Sequence, residues 1–441
     1  MSTILTNPVI ISTTILVVLC LMKVNVFLSI IVAGLCCSLL GGATLVEGIQ
    51  VFYTNMGNDN RMVLFLLLLG VLAATMQYNN VGEVLAPRVA KLVGKKVWLI
   101  PIVLLLFAIT VETFVLIGVS FLLVIVPPLL RLLTDYKVDR RLLVVATCCG
   151  LQMGYCCFPV GYGAGFMGIV QGALADNGLE VAINQIWKAN LVIAIAMLVA
   201  LALAMFHYRK PRDYKVADGE NKLLDAEVTA DKELPPIEFR HIACLISALS
   251  VVVVQVTTKS MPLAALTMIG MLVVTGAIKI KDFDTVFMKG IMTSAYVCLV
   301  LMAAVAFAAT AKTYGDLDNL VAASANLVGG NKVFGAFFML FLGLFITMGI
   351  GSSFSTVPIV ATVLVPLGLQ LGMSPALIII LVSAAGALGD SGAPSSNQAL
   401  IPTAAFNIDG QHDHIKDSCI PSFVFVNIPL IAICTIAAIF L

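Results

Sequence analysis

The chain has 441 residues, 60% hydrophobic and only 11% charged, with a formal net charge of +1. Soluble domains carry roughly 25% charged residues, so this composition excludes a soluble enzyme domain. The near-zero charge balance gives no reason to expect a nucleic-acid partner. Apolar runs of about twenty residues recur from end to end, each long enough to cross hydrocarbon as a helix. The sequence reads as an all-α polytopic membrane protein whose surroundings are a lipid bilayer.

In chain order, the first apolar run follows no basic segment and no small-residue cleavage site, so it reads as a membrane span rather than a removed leader. Spans are predicted at 3–22 and 25–42, an amphipathic connection at 43–60 and a span at 61–78; 79–96 is polar and basic. Segment 97–133 is apolar throughout. As one straight helix of about 36 residues it would reach about 54 Å, against a hydrocarbon core of about 30 Å. With Thr110-Val111-Glu112-Thr113 at its middle, it is predicted as a re-entrant hairpin with its tip at 110–113. Segment 141–176 is apolar at both ends and broken by the Gly-rich stretch 150–165, which contains Pro159; a span at 186–206 follows. The stretch 207–241 is the one long polar linker.

The second half repeats the plan, with spans at 242–258, 261–278 and 291–311. Segment 334–371 is a hairpin with Gly349 to Thr356 at its middle, 375–404 is a helix broken at 389–397, and a last span covers 420–441. Matches in order support an internal repeat: Leu28 with Leu263, Gly42 with Gly276, Phe52 with Phe287, Gly82 with Gly315, Leu-Val-Gly at 92–94 with 327–329, Pro127 with Pro366, Gly154 with Gly389 and Pro159 with Pro394. The offsets run from 233 to 239, and most are 235. If each hairpin re-emerges on its own side, each half crosses five times, and an odd count inverts the second half. The predicted fold is two inverted repeats, 1–206 and 242–441, each with five crossings, a re-entrant hairpin and a broken helix. Scaffold spans at 3–78 and 242–311 precede the hairpins. Inverted repeats with discontinuous helices mark many secondary transporters.

Charge fixes an orientation. The side holding the linker collects 20 of the 25 Lys and Arg residues, and Arg61, Lys188, Lys259, Lys312 and Lys332 make up the other side. Positive-inside bias places the linker in the cytoplasm and both termini outside, in the cell (inner) membrane. The tips of the two hairpins then meet near the midplane.

Two acids remain inside apolar segments, Glu112 and Asp390. A buried carboxylate without a basic partner must be protonated, hydrogen-bonded or turned toward a bound cation. A group with those options can exchange a proton for sodium; the plainer role is capping a hairpin turn. Around them stand Thr110, Thr113, Gln152, Tyr155 and Tyr162 in the first half. Ser352, Ser353, Ser355, Thr356, Ser391, Ser395, Ser396, Asn397 and Gln398 stand in the second. Hydroxyl and amide oxygens, with carbonyls freed at helix breaks, suit sodium, although any single Ser or Thr more plainly packs or caps a helix.

Eleven cysteines, with doublets at 36/37, 148/149 and 156/157, sit in apolar or Gly-rich contexts and read as small packing residues. His412 and His414, flanking Asp413, read as solvated loop residues. No nucleotide-binding loop, zinc-type helix or heme-type His is visible, nor any nucleophile–base constellation. The expectation is a non-enzyme with no cofactor, coupled to sodium, protons or both.

The hairpin tips, the proline-containing breaks and above all Gly386-Ala387-Leu388-Gly389-Asp390-Ser391-Gly392-Ala393-Pro394 resemble the C-type (NhaC) sodium/proton antiporter family of the ion transporter superfamily. Its relatives include histidine and other amino-acid transporters. The resemblance covers about 1–206 and 242–441. It implies scaffold helices, a moving transport domain of hairpins and broken helices, a homodimer and elevator-like alternating access. By position, Ser352, Ser353, Ser355 and Thr356 match the outer hairpin tip, and Asp390, Ser391, Ser395, Ser396 and Asn397 match the second broken helix. The first half departs from the pattern: its break is rich in Gly, Cys and Tyr, and its tip carries Glu112. That departure leaves room for an organic solute touched by Gln152, Tyr155, Tyr162 and Gln398. The expected activity is sodium/proton antiport; the alternative is ion-coupled transport of a small amino acid or carboxylate.

Overall fold

The computed structural model describes residues 6–22, 24–57, 60–81, 84, 88, 97–115, 122, 126, 130, 133–214, 235–258, 260–394 and 396–441; among these, every regular element is helical. The chain opens with α1 (Pro8–Leu21), α2 (Val26–Leu40), α3 (Leu45–Asn55) and α4 (Asn60–Tyr78). A helix leaves its first N–H groups unpaired, and Asn, Ser, Thr or Asp cover them well. Asn7 caps α1 and Asn25 caps α2, while Thr44 and Glu47 cap α3 reciprocally.

α5 (Ile100–Thr110) runs directly into a π-helical turn, Val111–Val115. The hairpin tip expected at 110–113 is therefore not there. The hydroxyls of Thr110 and Thr113 bond the carbonyls of Leu106 and Ile109, four residues back, so the helix bulges instead of breaking. Most of the return arm expected to 133 lies outside the described residues. α6 (Arg140–Cys157) and α7 (Tyr162–Asp176) meet at a bend of 57°. The break is narrower than the expected 150–165, since Gly150 to Cys157 stay helical. Gly161 makes the turn with φ 59°, a conformation that costs a residue without Cβ little. α8 (Ile183–Ala189) and α9 (Leu191–His207) close this half.

The second half holds α10 (Phe239–Thr258), α11 (Met261–Val274), α12 (Phe283–Tyr314), α13 (Leu317–Val328), α14 (Lys332–Ile350), α15 (Ser353–Gln370), α16 (Pro375–Ala387) and α17 (Asn397–Phe406). A continuous helical stretch, 414–440, contains two π-helical turns, His414–Cys419 and Phe423–Asn427, before α18 (Ile428–Phe440). α12 is 32 residues long where a span at 291–311 was expected, because the polar 283–290 stretch joins the helix. α8 is the first part of the span expected at 186–206, set off from α9 at Asn190, and α13 was not expected at all. α13 is amphipathic, burying Leu320 and Val321 between polar positions, and so lacks the unbroken apolar run of a span.

Helical stretches 183–207, 294–314, 353–370 and 414–440 are long and apolar enough to cross a membrane, and the bent α6–α7 pair makes a fifth if it is one span. The expected spans at 3–22, 25–42, 61–78, 242–258 and 261–278 appear as apolar helical stretches of 10–17 residues among the described residues. Caps and glycines trim them: Gly41 and Gly42 end α2, and Gly276, with φ 70°, follows α11.

Two groups of helices make the core. α4 packs on α12, with α2 beside α12 and α11 beside α4; α5 packs on α6, α14 and α15 on α16, and α9 on α6 and α18. The groups touch where α15 meets α12, α14 meets α1 and α7 meets α4. Val26 and Met261, Arg140 and Pro375, and Tyr162 and Asn397 each begin helices 235 residues apart.

Candidate functional site

α15 begins immediately after Gly351, which turns the chain with φ 70°, and its cap residue Ser352 makes no side-chain cap bond. The cap comes from elsewhere. Asp390 Oδ1 accepts the backbone N–H of Ser353 at 3.0 Å, and its Oδ2 accepts the Ser353 hydroxyl and, at 2.9 Å, the Tyr155 hydroxyl. A carboxylate is favoured at a helix N-terminus by the unpaired N–H groups and the positive end of the dipole. The acid of one broken element thus terminates the helix of another.

The stretch 388–396 between α16 and α17 is tied from several sides. Gln152 Nε2 donates to Ala387 O and Ser391 Oγ, both at 2.9 Å. Ser396 Oγ donates to Asp390 O at 2.7 Å, and Asn427 Nδ2 to Ser391 O at 2.7 Å. Gln398 Nε2 stands 3.5 Å from Asp390 Oδ2. Gly392 has φ 93°, and a Cβ there would lie 2.9 Å from Phe423, so the last helical stretch is packed directly on the break.

The amide oxygens left over define the site's chemistry. Gln152 and Asn427 spend their NH2 groups on carbonyl acceptors, which fixes which end of each amide is oxygen. Gln152 Oε1, Asn427 Oδ1 and Gln398 Oε1 are buried without a hydrogen-bond partner. Buried oxygens in that state call for a donor or a cation. These three neutral amide oxygens belong to residues hydrogen-bonded to Asp390 or to the stretch flanking it, and neutral amide oxygen is a hard donor of the kind a monovalent cation takes.

Glu112 stands apart from Asp390. It is buried, its Oε2 has no hydrogen-bond partner, and a Cβ on Gly154 would lie 2.6 Å from its own Cβ. Gly154, against Glu112, and Tyr155, bonded to Asp390, are neighbours in α6. Tyr155, Phe166 and Phe354 form an aromatic group with ring centroids 5.0–6.0 Å apart, and Tyr162 adds an edge contact to Phe354 at 6.5 Å.

Of the residues expected from sequence, Gln152, Tyr155, Ser353, Asp390, Ser391, Ser396 and Gln398 are brought together by direct hydrogen bonds. Tyr162 and Glu112 lie alongside. Thr110 and Asn397 are exposed, Thr110 spends its hydroxyl on Leu106 O, and no hydrogen bond among the described residues ties either to Asp390. Thr113 is buried but spends its hydroxyl on Ile109 O. Ser355 and Thr356 turn back to Ser352 O, at 3.4 and 2.8 Å, and serve the start of their own helix. Ser395 lies outside the described residues.

Sequence reasoning missed Asn427 and Thr347. Asn427 is the single amide in its apolar run, a signal that was available. Thr347 donates to Gly343 O and Ala385 O, and a Cβ on Gly389 would lie 2.3 Å from its backbone carbon, just as Gly154 abuts Glu112. At the 235-residue offset, Glu112 corresponds to Thr347. The histidines also differ from expectation. His412 is buried, with Nε2 on Ser418 Oγ at 2.9 Å, and His414 bonds Thr403 and Pro394 O, because 407–413 folds back beneath the broken helix. There too, Arg140 is fully buried and holds Asp409 through two bonds of 2.7 and 2.6 Å and Phe406 O at 2.9 Å.

Comparison with known proteins places this geometry. Residues 146–438 match a sequence family described as "Na+/H+ antiporter family", and 7–93 match a second, described as "Na+-H+ antiporter family". The chain is 37% identical to an uncharacterized membrane protein of Vibrio parahaemolyticus, over 98% of this chain and 99% of the relative. It is 34% identical to an uncharacterized membrane protein of Haemophilus influenzae, over 99% and 100%. It is 33% identical to the Bacillus subtilis protein named "Putative amino acid transporter YuiF", again over 99% and 100%. Among solved structures, the fold is similar to Neisseria gonorrhoeae MtrF, of a class of antimetabolite efflux pumps, at TM-score 0.60, 14% identity and coverage of 89% of this chain and 83% of that one. It is also similar to the Alcanivorax borkumensis YdaH transporter, at TM-score 0.58, 15% identity and 89% of both chains.

Proposed function

The chain belongs to the Na+/H+ antiporter family, and from that premise we propose that it exchanges sodium for protons at Asp390. The observation that carries this reading is the Asp390 carboxylate seated on the N-terminus of α15, hydrogen-bonded to Ser353 and Tyr155, and paired with no Lys or Arg among the described residues. In the sodium-loaded form the ion sits between Asp390 and the oxygens of Gln152, Gln398 and Asn427. In the proton-loaded form the carboxyl is neutral, and the buried site carries no net charge. Either form is cheaper to move than a bare buried carboxylate. Glu112, one helix away, is a second proton acceptor or a gate residue.

The movement we infer is elevator-like. Inverted repeats 1–206 and 242–441 supply it, with α1–α4 and α10–α12 as scaffold and the hairpin and broken helices as the moving body in a homodimer. Helix starts at a constant 235-residue offset support the repeat. So does a matched pair of ties: Asn190 Nδ2 holds Cys156 O at 2.9 Å, as Asn427 holds Ser391 O, and 156 and 391 differ by that offset. The meeting of Ser353 with Asp390 supports α14 and α15 as a hairpin whose tip reaches the helix break. The bias of 20 of 25 basic residues to one side supports a cytoplasmic linker and outward termini in the inner membrane.

A second reading, ion-coupled transport of a small amino acid or carboxylate, draws on the aromatic group of Tyr155, Tyr162, Phe166 and Phe354 beside the site and on the printed name of the Bacillus relative. Reconstitution in liposomes separates the two. Sodium-dependent proton efflux with no organic solute present supports antiport, and sodium-dependent uptake of a labelled amino acid supports the second reading. Full activity of Asp390→Asn at every pH sinks the site in both.

A further inference from the structure

A cavity of about 780 Å³ opens where the end of α9 meets the start of α6, and Arg141, Arg209, Lys210 and Arg212 line it with Phe206 and Tyr208. Two carboxylates, Asp139 and Asp213, also face it, so the lining carries four cations against two anions. Those carboxylates are already committed. Asp139 holds Arg141 at 2.6 Å, Asp213 holds Lys137 at 2.6 Å, and Arg212 pairs with Asp417 at 2.8 Å. Arg209 lies over the Phe206 ring at 4.6 Å, and neither Arg209 nor Lys210 has a carboxylate partner among the described residues.

One face of α9 leads away from this cavity. Leu191, Ile195, Leu198, Ala202 and Phe206 fall at helical spacing along that face, and all are exposed. The face runs about 22 Å at 1.5 Å per residue, ending at Phe206 on the cavity's rim. A stripe of bare apolar side chains that ends at two cations without a carboxylate partner among the described residues, Arg209 and Lys210, is matched to a molecule with an acyl chain and an anionic head.

We propose that this cavity binds the headgroup of an anionic phospholipid, with an acyl chain lying along the exposed face of α9. The charge complementarity selects anionic over zwitterionic lipid, since each Lys or Arg near a membrane surface adds attraction for anionic headgroups. The apolar stripe selects a lipid over a free anion. The site is remote from Asp390 and stands whichever solute the transporter moves.

The test uses the full chain purified in an uncharged detergent and titrated separately with phosphatidylglycerol, phosphatidylethanolamine and inorganic phosphate. Thermal unfolding and native mass spectrometry are the readouts. Phosphatidylglycerol is expected to raise the unfolding midpoint and remain bound in the gas phase, while the other two do neither. Arg209→Gln with Lys210→Gln, both exposed, should weaken phosphatidylglycerol binding about tenfold or more. Lys279→Gln with Lys281→Gln, exposed basic residues elsewhere, should not. An equal response to phosphatidylethanolamine or to inorganic phosphate overturns the proposal, as does unchanged binding by the Arg209/Lys210 double variant. Efficient cross-linking of two copies through a cysteine at position 195 also overturns it, because the stripe would then be a subunit interface.

Discussion

Tyr155 donates its hydroxyl to Asp390 at 2.9 Å, and the two residues stand 235 positions apart. Gln152 reaches Ala387 O over the same separation, and Cys298 reaches Val63 O over the same again. Under the proposed repeat these are corresponding positions. Corresponding positions that touch must straddle the axis relating the halves, so Asp390 sits where the halves exchange, with tyrosine rather than a second acid as its counterpart.

Tyr155→Phe should therefore act on transport more than on the fold. The ring keeps its contacts with Phe166 and Phe354 at 5.0 and 6.0 Å, while the hydroxyl's bonds to Asp390 at 2.9 Å and to Ser353 Oγ at 2.8 Å are lost. A hydrogen bond to a charged group contributes about 1.5–3 kcal/mol, so the unfolding midpoint should fall modestly, and the liposome rate should drop by one to two orders of magnitude where the bond is stronger in the transport step than at rest. Ser353→Ala should cost less, because the Ser353 N–H still caps onto Asp390 Oδ1. An undiminished rate for Tyr155→Phe removes Asp390 from the transport path as drawn.

Two glycines should prove to be sites of close packing. A Cβ on Gly154 would meet Glu112 Cβ at 2.6 Å, and one on Gly389 would meet the backbone of Thr347 at 2.3 Å. Overpacking of this kind costs about 1–3 kcal/mol, so Gly154→Ala and Gly389→Ala should both lower the unfolding midpoint. Gly172→Ala is the control, since nothing lies within 4 Å of its Cβ position. There, alanine should be neutral or stabilise the helix by about 0.5–1 kcal/mol.

How far the sequence revealed the site depends on what each residue does. Asp390, Ser353 and Gln152 were legible because polar side chains inside apolar runs are expensive and must be explained. The Gly-Pro breaks at 158–161 and 388–396 were legible because such residues weaken helices. The tip at 110–113 was misplaced because Thr110 and Thr113 satisfy their hydroxyls on carbonyls four residues back, which a helix tolerates. Burial of His412 and Arg140 was not legible: a loop of charged residues reads as solvated until tertiary contacts fold it beneath α17. Which hydroxyls face Asp390 depended on helix rotation. Thr110 and Asn397 are exposed for that reason.

The loop beneath α17 predicts an acid-sensitive stability. Burial pushes His412 from its ordinary value near 6.5 down to about 4, with Arg140 and Arg212 adding to the effect and Asp417 and Asp139 opposing it. Between those values the unfolded chain holds the extra proton, so His412's contribution is complete above pH 6.5 and fades as pH falls toward 4. The loss should approach about 3 kcal/mol. His412→Gln should flatten the wild-type slope in this window, read by chemical unfolding at several pH values. Burial alone would raise Asp409, but its bonds to Arg140 and the Arg140 charge prevail and hold it below the ordinary carboxylate range. Its contribution is therefore present above that range and lost at lower pH than the His412 effect. Parallel slopes for wild type and His412→Gln in the upper window rule the histidine out.

Arg140, at the start of α6, anchors that loop and should be costly to remove. Fully buried, it is bridged to Asp409 at 2.6 Å and reaches Thr134 Oγ1 at 3.1 Å. Breaking one side of a buried pair strands the other, at about 3–5 kcal/mol. Arg140→Ala should unfold at a much lower temperature. Combining it with Asp409→Ala should recover part of the loss; an additive double variant would mean the pair is not coupled.

Asn190 and Asn427 allow a structural tie to be told from an ion ligand. Each is fully buried, and each donates its amide to a carbonyl freed at a helix break, Cys156 O at 2.9 Å and Ser391 O at 2.7 Å. In each, Oδ1 has no partner. Replacing either by alanine leaves a buried carbonyl unpaired, which costs about 1–3 kcal/mol, so both variants should lose similar stability. Only Asn427 holds the residue next to Asp390. If its free oxygen faces the transported cation, Asn427→Ala should raise the sodium concentration for half-maximal exchange by about tenfold, the order of one hydrogen-bond-strength contact, while Asn190→Ala leaves it unchanged. Equal stability losses with no difference in sodium dependence would make Asn427 a tie like its counterpart and would confine the cation to Asp390, Gln152 and Gln398.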